Sequence, residues 1–88
     1  MKRKPAAFVY VLRCADGSLY TGWTTDLQRR LRAHRESRAS RYTRSRLPVE
    51  LAGWFALSSR TEARRLEAKF KMLPRSEKLR LLARSGLR

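Results

Sequence analysis

Acidic residues are scarce in this 88-residue chain: seven aspartates and glutamates stand against 22 lysines and arginines, a formal net charge of +15. A solubilising surface needs a net charge of only about 2–8 in a small domain. The excess points to a polyanionic partner, nucleic acid first. Membrane lipid fits less well, because no strongly basic helix with an exposed aromatic face is present. Cysteine is nearly absent too. Cys14 alone excludes an internal disulfide framework and a zinc cluster. It suits a reducing cytoplasm and reads as a small packing residue. No run approaches the ~20 apolar residues of a membrane span. Met1-Lys2-Arg3-Lys4 and the run Pro5 to Leu12 imitate a signal peptide, but that run is too short and stops at Arg13.

The length allows one small domain, residues 1–88, with a basic extension over 1–5 and a core over about 6–84. Such a domain buries only about 60–65% of its unfolded surface, which suffices for two layers but not for a large substrate cavity. A Rossmann enzyme, a barrel and a transporter are excluded. The apolar fraction of 42% is that of an ordinary globular protein. The charge itself is mostly arginine, 17 residues against five lysines, and the guanidinium fork matches phosphate oxygens.

Residues 7–13, AFVYVLR, predict a strand covered on both faces, and 18–23, SLYTGW, its hairpin partner. Two turns are possible through Ala15-Asp16-Gly17. A two-residue Asp16-Gly17 turn puts Tyr10 and Tyr20 on opposite faces. A three-residue loop with Gly17 left-handed pairs Leu12 with Tyr20 and Tyr10 with Gly22, so both tyrosines share a face; this loop is favoured. A helix follows to about Glu36, with Thr25 as N-cap and Gln28 as its capping-box partner. Its inward arc holds Leu27 and Leu31, with Arg30 and His34 on the flank. Residues 37–47 have no clean period and read as a loop, and eight arginines from Arg29 to Arg46 face a single acid, Glu36. A third strand is expected at about 49–57, with Gly53 as a possible bulge. A capping box, Ser59 to Glu62, opens a helix over about 60–73 whose stripe is Ala63, Leu66, Phe70 and Leu73, with Glu67 at its edge. Pro74 ends it and starts a short helix over about 75–84, with Leu79 and Leu82 inward and Gly86 as terminator. The expected class is α+β, in the order β-β-α-β-α-α.

Tyr10, Tyr20, Arg30, His34 and Glu67 are the polar groups that this pattern places on or beside buried faces. Singly, each has an ordinary reading: packing for the tyrosines, solvation for the arginine, a structural role for the histidine, a surface charge for the glutamate. Together they make a kit for phosphodiester hydrolysis. One carboxylate can hold one Mg²⁺ whose other ligands are water and phosphate. An arginine can stabilise the charged transition state. A tyrosine near a cation, or the histidine, can take a proton from water.

FVYVL, LYTGW, TTDLQRRLRAH and EARRLEAKFKML in succession resemble the GIY-YIG nuclease superfamily, and most of all its small stand-alone bacterial proteins. YTRSRLPVEL also looks typical of that group. The resemblance covers about residues 6–82. It implies a three-stranded antiparallel sheet flanked by helices and a metal-dependent endonuclease using Mg²⁺ or Mn²⁺ on DNA, with RNA also open and DNA repair as the setting. Tyr10 and Tyr20 match the motif tyrosines, Gly22 the motif glycine, Arg30 the helix arginine and Glu67 the metal-binding glutamate. His34 matches a histidine proposed in several branches as a base or water-positioning group. The sequence departs at Trp23, where some repair members carry lysine, and at Leu79, where many carry asparagine. A non-catalytic nucleic-acid-binding module on the same fold is the alternative. With no separate targeting module, recognition of shape or strandedness is expected, through Arg29, Arg32, Arg35, Arg38, Arg41, Arg44 and Arg46, with Tyr42 available for stacking.

Overall fold

The structure, a computed structural model, describes residues 4–85. Strands β1 (Ala7–Arg13), β2 (Leu19–Thr24) and β3 (Glu50–Leu57) form one antiparallel sheet in the order β2-β1-β3. Helices α1 (Leu27–Arg35), α2 (Arg41–Arg44), α3 (Arg60–Met72) and α4 (Arg75–Leu82) flank it. No described helix is long and apolar enough to cross a membrane.

The central place of β1 explains its apolar residues on both faces. Ala7, Val9 and Val11 turn towards α3 and α4, where Ala63, Phe70 and Leu82 close the core. Tyr10 and Leu12 turn the other way and pack, with Cys14, against Leu31 and Val49. The hairpin uses the three-residue loop. The Cys14 N–H donates to the Ser18 carbonyl at 2.9 Å, and Gly17 has φ +84°. This left-handed value suits glycine. Leu12 therefore faces Tyr20, and Tyr10 faces Gly22. A bulge does interrupt β3 beside Gly53: Val11 faces Gly53 and Leu12 faces Leu51, leaving Ala52 unpaired.

Several local expectations need correction. Asp26, not Thr25, caps α1, its carboxylate accepting the Arg29 N–H at 3.0 Å. Thr24 braces the entry by accepting the Asp26 N–H, so the cap falls one residue later and Gln28 has no capping role. The segment read as loop contains α2, capped by the Ser40 hydroxyl. Four residues are too few to show a helical period. Ser59 does cap α3, but Glu62 reaches back to the N–H and hydroxyl of Ser58 rather than to Ser59. In α4 Leu82 is buried while Leu79 is exposed, and Leu81 packs inward in its place. Gly86 lies outside the described residues, as do Met1, Lys2 and Arg3. One stop was not foreseen. Ser37 ends α1 with φ +66°, and the N–H groups of Ser37 and Arg38 donate to the carbonyls of His34 and Ala33. That pairing is a Schellman cap with serine where glycine is usual.

Candidate active site

A cleft of about 430 Å³ wraps the free edge of the sheet at β2. Four elements line it: β1 gives Tyr10, β2 gives Tyr20, Gly22, Trp23 and Thr24, α1 gives Arg30, and α3 gives Arg60 and Glu67. Tyr20 and Gly22 belong to the α1 face of the sheet and Trp23 to the α3 face. Residues from both layers therefore meet at this edge. Gly22 makes the meeting possible. A Cβ there would sit 2.6 Å from the Tyr10 hydroxyl oxygen.

Behind the cleft, the Tyr10 hydroxyl lies 2.8 Å from Nε2 of His34, and Nδ1 of His34 lies 2.8 Å from the Thr43 hydroxyl. His34 and Thr43 are fully buried. His34 therefore does not reach the cleft, and the direct contact with water expected of a base is closed to it: its Nε2 ends on Tyr10. Burial, with the positive charge of Arg30 second, pushes the His34 pKa down to about 4. Burial also raises the Tyr10 phenol well above its ordinary range, aided by Tyr20 and Glu67 and opposed by Arg30. Both groups are neutral at pH 7. Tyr20 packs edge-on to His34 at 5.2 Å between ring centroids and stacks on Tyr42 at 5.8 Å.

The basic surface divides into engaged and unengaged cations. Arg46 binds Asp16 at 3.0 Å and lies over the Tyr42 ring, and Arg38 is paired with Glu36. Tyr42 is 37% exposed and contacts Tyr20 and Arg46 through its ring. Arg29, Arg32, Arg35, Arg41 and Arg44 are exposed, with no salt bridge among the described residues. Two hollows continue the cleft. One of about 420 Å³ shares Thr24, Thr25 and Arg30 with it and is flanked by Arg29 and Arg38. The other, of about 540 Å³, shares Trp23 and Glu67 and is flanked by Arg64 and Arg65. Arg60 and the α3 arginines escaped the sequence reading. The signal was there: Arg60, Arg64 and Glu67 are spaced i, i+4, i+7 on one helix face.

Glu67 carries the one carboxylate of the cleft, its side chain 21% exposed, with Lys71 Nζ 3.4 Å away. No three His, Cys, Asp or Glu side chains converge among the described residues. This donor set fits Mg²⁺ or Mn²⁺ bound through one carboxylate plus water and substrate phosphate, and does not fit an all-protein cage.

A three-stranded sheet with this cleft defines a class, and the comparisons agree. Residues 6–80 match the model of the GIY-YIG catalytic domain, and the chain belongs to the GIY-YIG family. The UPF0213 protein SAG0778 of Streptococcus agalactiae is 51% identical over 76 residues, covering 86% of each chain. A UPF0213 protein of Nitratidesulfovibrio vulgaris is 48% identical over 79 residues, 90% of this chain and 72% of that one. The solution structure of UPF0213 protein BH0048 from Bacillus halodurans superposes with a TM-score of 0.60 at 42% identity, covering 91% of this chain and 85% of that one. That of EF2693 from E. faecalis gives 0.63 at 39% identity, covering 94% and 88%. The family suggests nuclease activity on nucleic acid in general, and its nucleases typically use divalent metals.

Proposed function

We propose that this protein is a metal-dependent endonuclease that hydrolyses phosphodiester bonds of DNA, selecting shape or strandedness rather than sequence. The convergence of Tyr10, Arg30 and Glu67 from three elements on one cleft carries this reading. Glu67 would hold the divalent cation, which when bound would polarise the phosphate and stabilise the leaving oxygen. Arg30 and Arg60 place positive charge where the transition state gains negative charge. Tyr10, a phenol packed against Gly22 with Nε2 of His34 2.8 Å behind its oxygen, lies where it can relay a proton from attacking water to that ring. The substrate backbone runs through the joined hollows, between Arg29 and Arg30 on α1 and Arg64 and Arg65 on α3. Such contacts are to phosphate and carry no base information.

One contact favours a second reading, binding without cleavage: Lys71 beside Glu67 competes with a cation for the carboxylate. One experiment separates the two. The protein and Arg30→Ala are incubated with labelled single-stranded, duplex, flapped and four-way DNA and single-stranded RNA, with Mg²⁺, Mn²⁺ or chelator. The nuclease reading predicts metal-dependent products from the wild type and a loss of about 10²–10³-fold in Arg30→Ala. Binding with no product on any substrate would overturn it and leave the clamp. RNA cleavage alone would move the substrate class.

A further inference from the structure

We infer that Thr43 is a positioning residue: its hydroxyl fixes His34 in the tautomer protonated on Nδ1, leaving Nε2 bare to accept the proton of the Tyr10 phenol. The geometry is a linear chain. Tyr10 oxygen to Nε2 is 2.8 Å, Nδ1 to Thr43 Oγ1 is 2.8 Å, and Thr43 Oγ1 to the Ser40 carbonyl oxygen is 3.4 Å. Three protons must be placed along it: one phenolic, one on the ring and one on the threonine.

In one direction Tyr10 donates to Nε2, Nδ1–H donates to Thr43, and Thr43 donates to the Ser40 carbonyl. Every proton then has a protein acceptor. In the other direction Thr43 donates to Nδ1 and Nε2–H donates to Tyr10. The phenolic proton is then left with no protein acceptor among the described residues and must turn to water in the cleft, although Tyr10 is 1% exposed. Only the first direction pairs all three protons within the protein, so it is favoured. Helix α2 exists to hold this end. Ser40 caps it, its carbonyl is fixed by the Arg44 N–H at 3.0 Å, and Thr43 is the buried residue of its single turn. The charged and titratable neighbours of Tyr10 and His34 are Arg30, Tyr20 and Glu67.

The consequence for catalysis rests on the nuclease reading. As water attacks phosphorus, its proton passes to the Tyr10 oxygen and the phenolic proton passes to Nε2. The bond from phosphorus to the leaving oxygen breaks, and that oxygen takes a proton from solvent. The imidazolium then returns its proton through Tyr10 to solvent. With Nε2 already protonated, this transfer is blocked at its first step.

The test is a two-bond ¹H–¹⁵N correlation spectrum of the His34 ring in the full-length labelled protein near pH 7.5. We expect a protonated Nδ1 and a bare Nε2 in the wild type and in Thr43→Ser. In Thr43→Val, which removes the acceptor, the proton should move to Nε2. Protonated Nε2 in the wild type would overturn the inference, and so would a wild-type pattern in a folded Thr43→Val. Should that variant not fold, the wild-type spectrum still decides. In the cleavage assay Thr43→Val should lose about 10²-fold in kcat with KM little changed, and Thr43→Ser should recover it. The expected tautomer without cleavage by any form would sink the nuclease reading and leave the tautomer standing.

Discussion

Towards α3 and α4, strand β1 presents Ala7, Val9 and Val11, which meet Ala63, Phe70 and Leu82. Towards α1, it presents Tyr10 and Leu12, and Tyr10 meets a buried histidine that in turn holds a buried threonine. One layer is closed by apolar packing and the other is threaded by a polar chain. Apolar burial contributes stability in proportion to area removed from water. A buried polar chain contributes little net stability and costs much when one member is lost. The division suggests separate duties: the α3 layer holds the fold, and the α1 layer holds a phenol in one position and one protonation state. The site lies at the β2 edge, where Glu67 and Arg60 from the first layer line one cleft with Tyr10 and Arg30 from the second.

Four experiments can break or sharpen this contrast. Phe70 is fully buried at the centre of the α3 layer. Phe70→Ala should cost about 3–5 kcal/mol in urea unfolding, a large share of a small domain's stability. Tyr10→Phe removes one hydroxyl from the other layer and strands Nε2 of His34. It should cost about 1–3 kcal/mol. An equal cost for the two would erase the distinction between the layers.

The third experiment is a pH series. His34 is held at a pKa of about 4 in the folded protein, against roughly 6.5 when unfolded. Between these values the unfolded chain binds the extra proton, so stability rises with pH there. The His34 contribution is complete above about pH 6.5 and is lost as pH falls towards 4. Its slope is at most about 1.4 kcal/mol per pH unit. Unfolding free energies measured across that range should show the slope in the wild type and not in His34→Gln. The smallest effect concerns the end of α1. Ser37 holds a left-handed conformation that costs an L-residue about 1–2 kcal/mol, partly offset in Ser37→Gly by a looser unfolded chain. A net gain of about 0.5 kcal/mol is expected, and a loss would mean the Ser37 side chain has a role of its own.

Most of this architecture could be read from the residues, because each long element carries its own period. The double-faced strand, the glycine hairpin and the Ala63–Phe70 stripe are all where the pattern put them. The register followed from one glycine, and with it the shared face of Tyr10 and Tyr20. What escaped was short or depended on distance in space. Helix α2 is one turn long and shows only its serine cap. Thr43 lies among arginines in sequence, and nothing local says that it is buried. In α4 the run Leu79-Arg80-Leu81-Leu82 allows two helical phases, and the side chains available on the sheet choose between them. The engagement of Arg46 by Asp16 joins segments 30 residues apart.

The most direct test of the central claim is Glu67→Gln, because Glu67 is the carboxylate of the cleft and its replacement keeps the shape of the side chain. Wild type and variant would be compared for thermal unfolding, for DNA binding in chelator and for cleavage with Mg²⁺. The account predicts matching Tm, binding that is equal or tighter, and cleavage lower by at least about 10²–10³-fold. Equal cleavage by the two proteins would contradict it.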